Sequence, residues 1–186
     1  MIKGIITDFD GTLVDTLYAN TISYVNTFKK NGYNISKDQY IKCFGLRYDD
    51  LCDALNIPNE QSLRDKIKSD KKEEYKLNYN LTKLNNKLLY FIKYSKMLGL
   101  STCITSTASK DNLFGILNYY NITQCFDYII CGNEVKNGKP APDVYLKALS
   151  KMGLNPEDVI VFEDSQVGFD AAKNAGINNI IKIVSI

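Results

Sequence analysis

Histidine is absent from all 186 residues. That absence removes Ser-His-Asp and Cys-His catalysis, histidine-ligated zinc and histidine general bases from consideration. Any acid–base work falls to Asp, Glu, Lys, Tyr or Cys. Cysteine is sparse: Cys43, Cys52, Cys103, Cys125 and Cys131 include no Cys-x-x-Cys pair, so neither a zinc knuckle nor a redox dithiol is indicated. An odd, unpatterned set suits a reducing cytoplasm, and a cytoplasmic location is expected. No apolar run reaches the ~20 residues of a membrane span. The chain starts as a strand carrying Asp8 and Asp10, not as the apolar core of a leader. Charge of neither sign dominates: 23 basic residues face 21 acidic ones, a net charge of +2. With no basic stripe interleaved with aromatics, neither nucleic acid nor a membrane is an expected partner.

What is present is concentrated at strand ends. Ile2-Lys3-Gly4-Ile5-Ile6-Thr7-Asp8-Phe9-Asp10-Gly11-Thr12-Leu13-Val14-Asp15-Thr16 reads as a buried strand running into two aspartates and a glycine turn. Asp8 and Asp10 are two apart, so on extended backbone both side chains leave one face. Paired carboxylates repel unless a cation or a shared proton sits between them, and oxygen donors in that arrangement suit Mg²⁺. An Asp-rich turn after a strand is common for structural reasons alone; the full run Asp-Phe-Asp-Gly-Thr-Leu-Val-Asp-Thr is much more specific.

Strand and helix patterns alternate, which predicts an α/β fold with a doubly wound parallel sheet. Strands are expected near 2–8, 100–107, 127–131, 158–162 and 179–184. Helices are expected from Ser109 to about Tyr119, from Pro142 to Met152 with Gly153 ending it, and from Ser165 to Gly176. Residues 15–81 differ. Leu17, Ile22, Val25 and Phe28, then Tyr40, Ile41 and Phe44, then Leu51, Leu55 and Ile57 recur at helical spacing. Ser36 with Gln39 reads as a capping box, Asp15 as the N-cap of the first of these helices, and the charged stretch Ser62–Lys76 as a solvated helix face. The expected division is therefore 1–14 and 82–186 as an α/β core, with 15–81 as an inserted helical cap.

The strand-end segments resemble the four motifs of the haloacid-dehalogenase superfamily of phosphotransferases, in the superfamily's chain order. The first is the Asp8-to-Thr16 run. Ile104-Thr105-Ser106-Thr107-Ala108-Ser109-Lys110 resembles the second, Gly138-Lys139-Pro140-Ala141-Pro142-Asp143 the third, and Val159-Ile160-Val161-Phe162-Glu163-Asp164-Ser165 the fourth. The continuation from Gln166 to Gly176 is similar to the branch holding phosphoglycolate phosphatases and β-phosphoglucomutases. The resemblance implies a Rossmann-like core, Mg²⁺ and a small phosphorylated substrate. It implies Asp8 as nucleophile through an aspartyl phosphate, Asp10 as acid and base, and Lys139 as phosphate counter-charge. For the metal it implies Asp8, the Asp10 backbone carbonyl, Asp164, and Glu163 directly or through water.

In the second motif Thr105, Ser106 and Thr107 all carry hydroxyls. Alternation sends Thr105 and Thr107 to one face and Ser106 to the other, and the match favours Thr107 as the phosphate-binding hydroxyl. Backbone N–H groups at Ala108, Phe9 and Asp10 are expected to add donors. Asn20 and Arg47, the latter after Phe44-Gly45-Leu46, are the candidate cap residues facing substrate. The chain departs from relatives in lacking a Pro-Gly turn before the second motif, where Asn85 and Asn86 stand instead. It also has Asn20 where the mutases carry histidine, and it ends at Ile186 where relatives continue into another helix. The expectation is a Mg²⁺-dependent phosphatase, monomeric or weakly dimeric. The alternatives are a sugar-phosphate mutase and a non-catalytic phosphate-binding relative.

Overall fold

The structure is a computed structural model, and residues 1–184 are described here; Ser185 and the chain end at Ile186 lie outside the described residues. In chain order the elements are β1 (Gly4–Asp8), β2 (Val14–Asp15), α1 (Leu17–Lys30), α2 (Lys37–Ile41), α3 (Tyr48–Ala54), α4 (Gln61–Leu77) and β3 (Lys83–Leu84). They continue as α5 (Asn86–Met97), β4 (Ser101–Thr105), α6 (Lys110–Tyr119), β5 (Tyr128–Ile130), α7 (Asp143–Met152), β6 (Val159–Glu163), α8 (Gln166–Asn174) and β7 (Ile180–Lys182). Two compact units result: Met1–Asp15 together with the chain from Leu84 onward, and Thr16–Lys83.

The first unit is built on a five-stranded sheet of order β5-β4-β1-β6-β7, with every described pairing parallel. Its central strands β1, β4 and β6 are buried almost throughout, as parallel strands covered on both faces are. On one face Ile6, Cys103, Val159 and Val161 pack with Val144, Tyr145, Ala148 and Leu149 of α7 and Ala171 and Ala172 of α8. On the other, Phe162 meets Phe91 of α5 edge-on at 5.5 Å. The chain winds outward from β1 to β4 and β5, then returns to β6 on the far side of β1. That reversal puts the switch point between β1 and β6, where ligands bind beyond the carboxyl ends of the strands. Asn85 fastens the chain's return: its N–H donates to the Leu13 carbonyl at 2.8 Å and its side-chain amide to the Thr12 carbonyl at 3.2 Å.

The second unit packs α1 against α4 and α2, around Phe28, Cys52, Ile57 and Ile67. The Ser36–Gln39 capping box is formed. Two expectations need correction. Asp15 lies in β2, and Thr16 occupies the N-cap position of α1 without a side-chain cap bond. The charged stretch is not simply a solvated face: α4 buries Arg64, Ile67, Lys71 and Tyr75, one stripe at helical spacing. The two buried cations are supplied with partners. Arg64 donates to Asp53 Oδ1 at 2.5 Å and to the Ile57 and Pro58 carbonyls. Lys71 donates to Asn20 Oδ1 at 2.8 Å, with its ammonium 3.7 Å from the Tyr75 ring centroid.

Candidate active site

Asp8 is the last residue of β1 and is buried. The loop behind it is a tight turn in which the N–H groups of Leu13 and Val14 both donate to the Phe9 carbonyl, at 3.1 and 3.0 Å. Gly11 has φ of 92°, and a Cβ there would overlap the Asp164 carboxylate. Glycine is required twice over: for the left-handed backbone and for the close approach of Asp164. Thr12 Oγ1 donates to Asp164 Oδ1 at 3.0 Å and so ties the first motif to the fourth.

Lys139 sits between two carboxylates, with its side chain only 5% exposed. It donates to Asp8 Oδ1 at 2.6 Å and to Glu163 Oε1. Tyr145 Oη donates to the same Glu163 oxygen at 2.9 Å, and the Lys139 ammonium lies 5.2 Å from the centroid of the Tyr145 ring. The other Glu163 oxygen accepts from the Asp164 and Ser165 N–H groups and from the Ser165 hydroxyl. Gly168, in the first turn of α8, has no Cβ because one would fall inside the Glu163 carboxylate. Burial raises the Asp8 pKa well above the ordinary carboxylate value; Lys139 opposes the rise while Glu163 and Asp10 add to it. Burial by itself would lower the pKa of Lys139, but the charges of Asp8 and Glu163 outweigh it and hold the side chain as an ammonium. Asp164 is likewise raised, by burial first, against the Thr12 bond.

β4 ends at Thr105, and the Ser106 N–H continues its ladder by donating to the Ile130 carbonyl at 3.0 Å. Thr105 Oγ1 is buried and has no hydrogen-bond partner. Ser106 Oγ donates to Asp10 Oδ2 at 3.0 Å and accepts the Ala108 N–H at 2.9 Å. The Ala108 amide, expected as a phosphate donor, is therefore engaged by Ser106. Thr107 lies in the turn, where Gly132 approaches its carbonyl so closely that a Cβ would not fit. Arg47 belongs to the other unit, where it is the N-cap residue of α3.

Asp8, Glu163 and Asp164 each bring a carboxylate oxygen within 4.8 Å of the others. An all-oxygen donor set of this kind fits Mg²⁺. The raised pKa values of Asp8 and Asp164 express the cost of burying negative charge, which a cation would offset. Glu163 already has both oxygens in hydrogen bonds, so Asp8 and Asp164 are the better-placed ligands. Sequence reasoning reached Asp8, Asp10, Lys139, Glu163 and Asp164, and the structure draws them to one strand-end cluster. It missed Thr12 and Tyr145, and among the second-motif hydroxyls it favoured Thr107 without assigning Ser106 a role. Thr12 stands inside the first motif and was within reach of a sequence argument, whereas nothing in its spacing marks Tyr145.

The sequence profile of the haloacid dehalogenase-like hydrolases matches residues 5–182. The chain is 32% identical over 190 residues to a phosphorylated carbohydrates phosphatase of Thermotoga maritima, covering 98% of this chain and 85% of that protein. It is 25% identical over 177 residues to a phosphoglycolate phosphatase of Aquifex aeolicus, covering 92% and 80%. Its fold superposes on CbbY from Rhodobacter sphaeroides in complex with phosphate with a TM-score of 0.86, at 24% identity over 99% of this chain and 88% of that one.

Proposed function

The chain belongs to the haloacid dehalogenase-like hydrolase family and is a phosphohydrolase, and from that premise we propose that it hydrolyses a small phosphomonoester with Mg²⁺ through an aspartyl phosphate on Asp8. The observation that carries the reading is Asp8 at the end of β1, bonded to Lys139 and flanked by Glu163 and Asp164, with Asp10 two residues on. An Asp8 oxygen attacks phosphorus, the bond to the ester oxygen breaks, and Asp10 passes that oxygen a proton. Water then attacks the phosphoaspartate and gives a proton to Asp10, releasing phosphate and restoring the Asp8 carboxylate. Lys139 and the Thr107 hydroxyl bind the phosphoryl oxygens, with backbone N–H groups of Phe9 and Asp10 as further donors.

Asp8, Asp164 and the Asp10 backbone carbonyl would hold Mg²⁺, with Glu163 contributing directly or through water. When bound, the ion supplies positive charge that lets a carboxylate approach a phosphate dianion. The substrate class is a phosphorylated carbohydrate, which the name of the Thermotoga maritima relative supports. The protein works in the cytoplasm as a monomer or weak dimer.

The test is a Mg²⁺-dependent phosphate-release screen over sugar phosphates and other monoesters. A ³¹P NMR arm follows a sugar 1-phosphate with and without a sugar bisphosphate primer. Phosphate is expected to accumulate in step with substrate loss. Isomerisation that outpaces phosphate release when the primer is present would replace the hydrolase with a mutase.

A further inference from the structure

We infer that Ser106 is a positioning residue for Asp10: its hydroxyl, donating to Asp10 Oδ2, helps hold the carboxylate in place for proton transfer to the leaving oxygen of the substrate. The inference rests on the proposed roles of Asp8 and Asp10.

Ser106 is itself firmly placed. Its N–H donates to the Ile130 carbonyl at 3.0 Å, extending the β4–β5 ladder, and it is 1% exposed. The turn after it is closed by Gly132, whose N–H donates to the Ala108 carbonyl at 3.0 Å. A serine hydroxyl has one hydrogen to give and lone pairs to receive. The Ala108 N–H occupies a lone pair at 2.9 Å, so the hydrogen goes to Asp10 Oδ2 at 3.0 Å.

The bond from Ser106 constrains Asp10. That residue precedes Gly11, whose backbone is left-handed, in a turn beyond the end of β1. A carboxylate there has rotamers to lose before proton transfer, and fixing it in advance removes that cost from the reaction. Of the three hydroxyls in the run, Thr105 cannot serve: it is buried in the strand without a partner.

The experiment compares wild type and Ser106→Ala on two esters, glycerol phosphate and p-nitrophenyl phosphate, at saturating Mg²⁺. The ratio kcat/KM reports the first half-reaction. An alkoxide leaving group needs the proton from Asp10; p-nitrophenolate does not. Loss of positioning is expected to lower kcat/KM for glycerol phosphate by about 10- to 100-fold, and for p-nitrophenyl phosphate by less than about threefold, with the Mg²⁺ requirement unchanged. Equal losses on both esters, or none on glycerol phosphate, overturn the inference. A double-mutant cycle gives a second reading that does not depend on ester choice: added to Asp10→Asn, Ser106→Ala is expected to cost less than about twofold more. A larger additional loss overturns the inference, because Ser106 would then be acting elsewhere. A wild type that hydrolyses neither ester takes down the proposed function and this inference together; an active wild type with equal losses takes down the inference alone.

Discussion

Charge is most concentrated at Lys139, and one side chain there serves two neighbours. Two carboxylates would otherwise stand buried and adjacent, Asp8 with 9% and Glu163 with 0% of the side chain exposed. Removing one partner of a buried, hydrogen-bonded ion pair leaves an uncompensated charge and costs about 3–5 kcal/mol. Lys139→Met, which keeps much of the aliphatic stem, is expected to lose stability of that order in urea denaturation and phosphatase activity by about 100-fold or more. Mg²⁺ is expected to restore part of the stability, because a cation among Asp8, Glu163 and Asp164 supplies the missing charge. A variant as stable as wild type without Mg²⁺ would show that the triad carries little charge in the folded state. The same scale shows where sequence reasoning stops. Asp8 and Lys139 were legible because their motifs announce a chemistry. The bond from Ser106 to Asp10 was not legible, because it joins residues 96 apart that only folding brings together. The full hydrogen bonding of Glu163 depends on Tyr145 and Ser165, contacts made by folding and not by spacing.

Among elements, β4 is held at its start by a carboxylate from the segment leading into β5. Asp127 Oδ2 accepts the Thr102 N–H at 2.9 Å and the Thr102 hydroxyl at 3.0 Å, and Lys96 from α5 pairs with Oδ1 at 2.8 Å. Burial acts to raise the Asp127 pKa, but the Lys96 and Thr102 bonds prevail and leave it below the ordinary value. A carboxylate whose folded pKa lies below its unfolded one, about 3.9, stabilises the fold above that pH. The contribution is lost as pH falls through the folded pKa. Asp127→Asn is therefore expected to melt below wild type at pH 7, with the gap closing below about pH 4. A gap that stays constant from pH 7 to pH 3 would mean the carboxylate's charge is not what holds β4. The helices of residues 16–83 were legible by period but not by surface. Composition made the α4 stretch read as solvated, yet tertiary packing buries its Arg64 and Lys71 against carbonyls, Asn20 and tyrosine rings. A lysine count cannot anticipate a ring face that comes from 47 residues away, as Tyr24 does for Lys71 at 4.8 Å.

At the scale of the molecule, the winding order makes the site. A sheet of order β5-β4-β1-β6-β7 puts the first and fourth motifs on adjacent strands and the second motif on the other side of β1. The loop carrying Lys139 then closes over them between β5 and α7. Alternating strand and helix patterns foretold a doubly wound parallel sheet, while its strand order is read from the structure. The central claim is that this arrangement performs metal-assisted covalent phosphoryl transfer on Asp8. The most direct measurement is phosphate release from a phosphomonoester substrate by wild type and Asp8→Asn, each with saturating Mg²⁺ and with chelator, on protein checked for its fold and for deamidation back to aspartate. The account predicts turnover only for wild type with Mg²⁺, with loss of at least about 1,000-fold for the variant and for the chelated enzyme. Turnover by intact Asp8→Asn protein within about tenfold of wild type would contradict it.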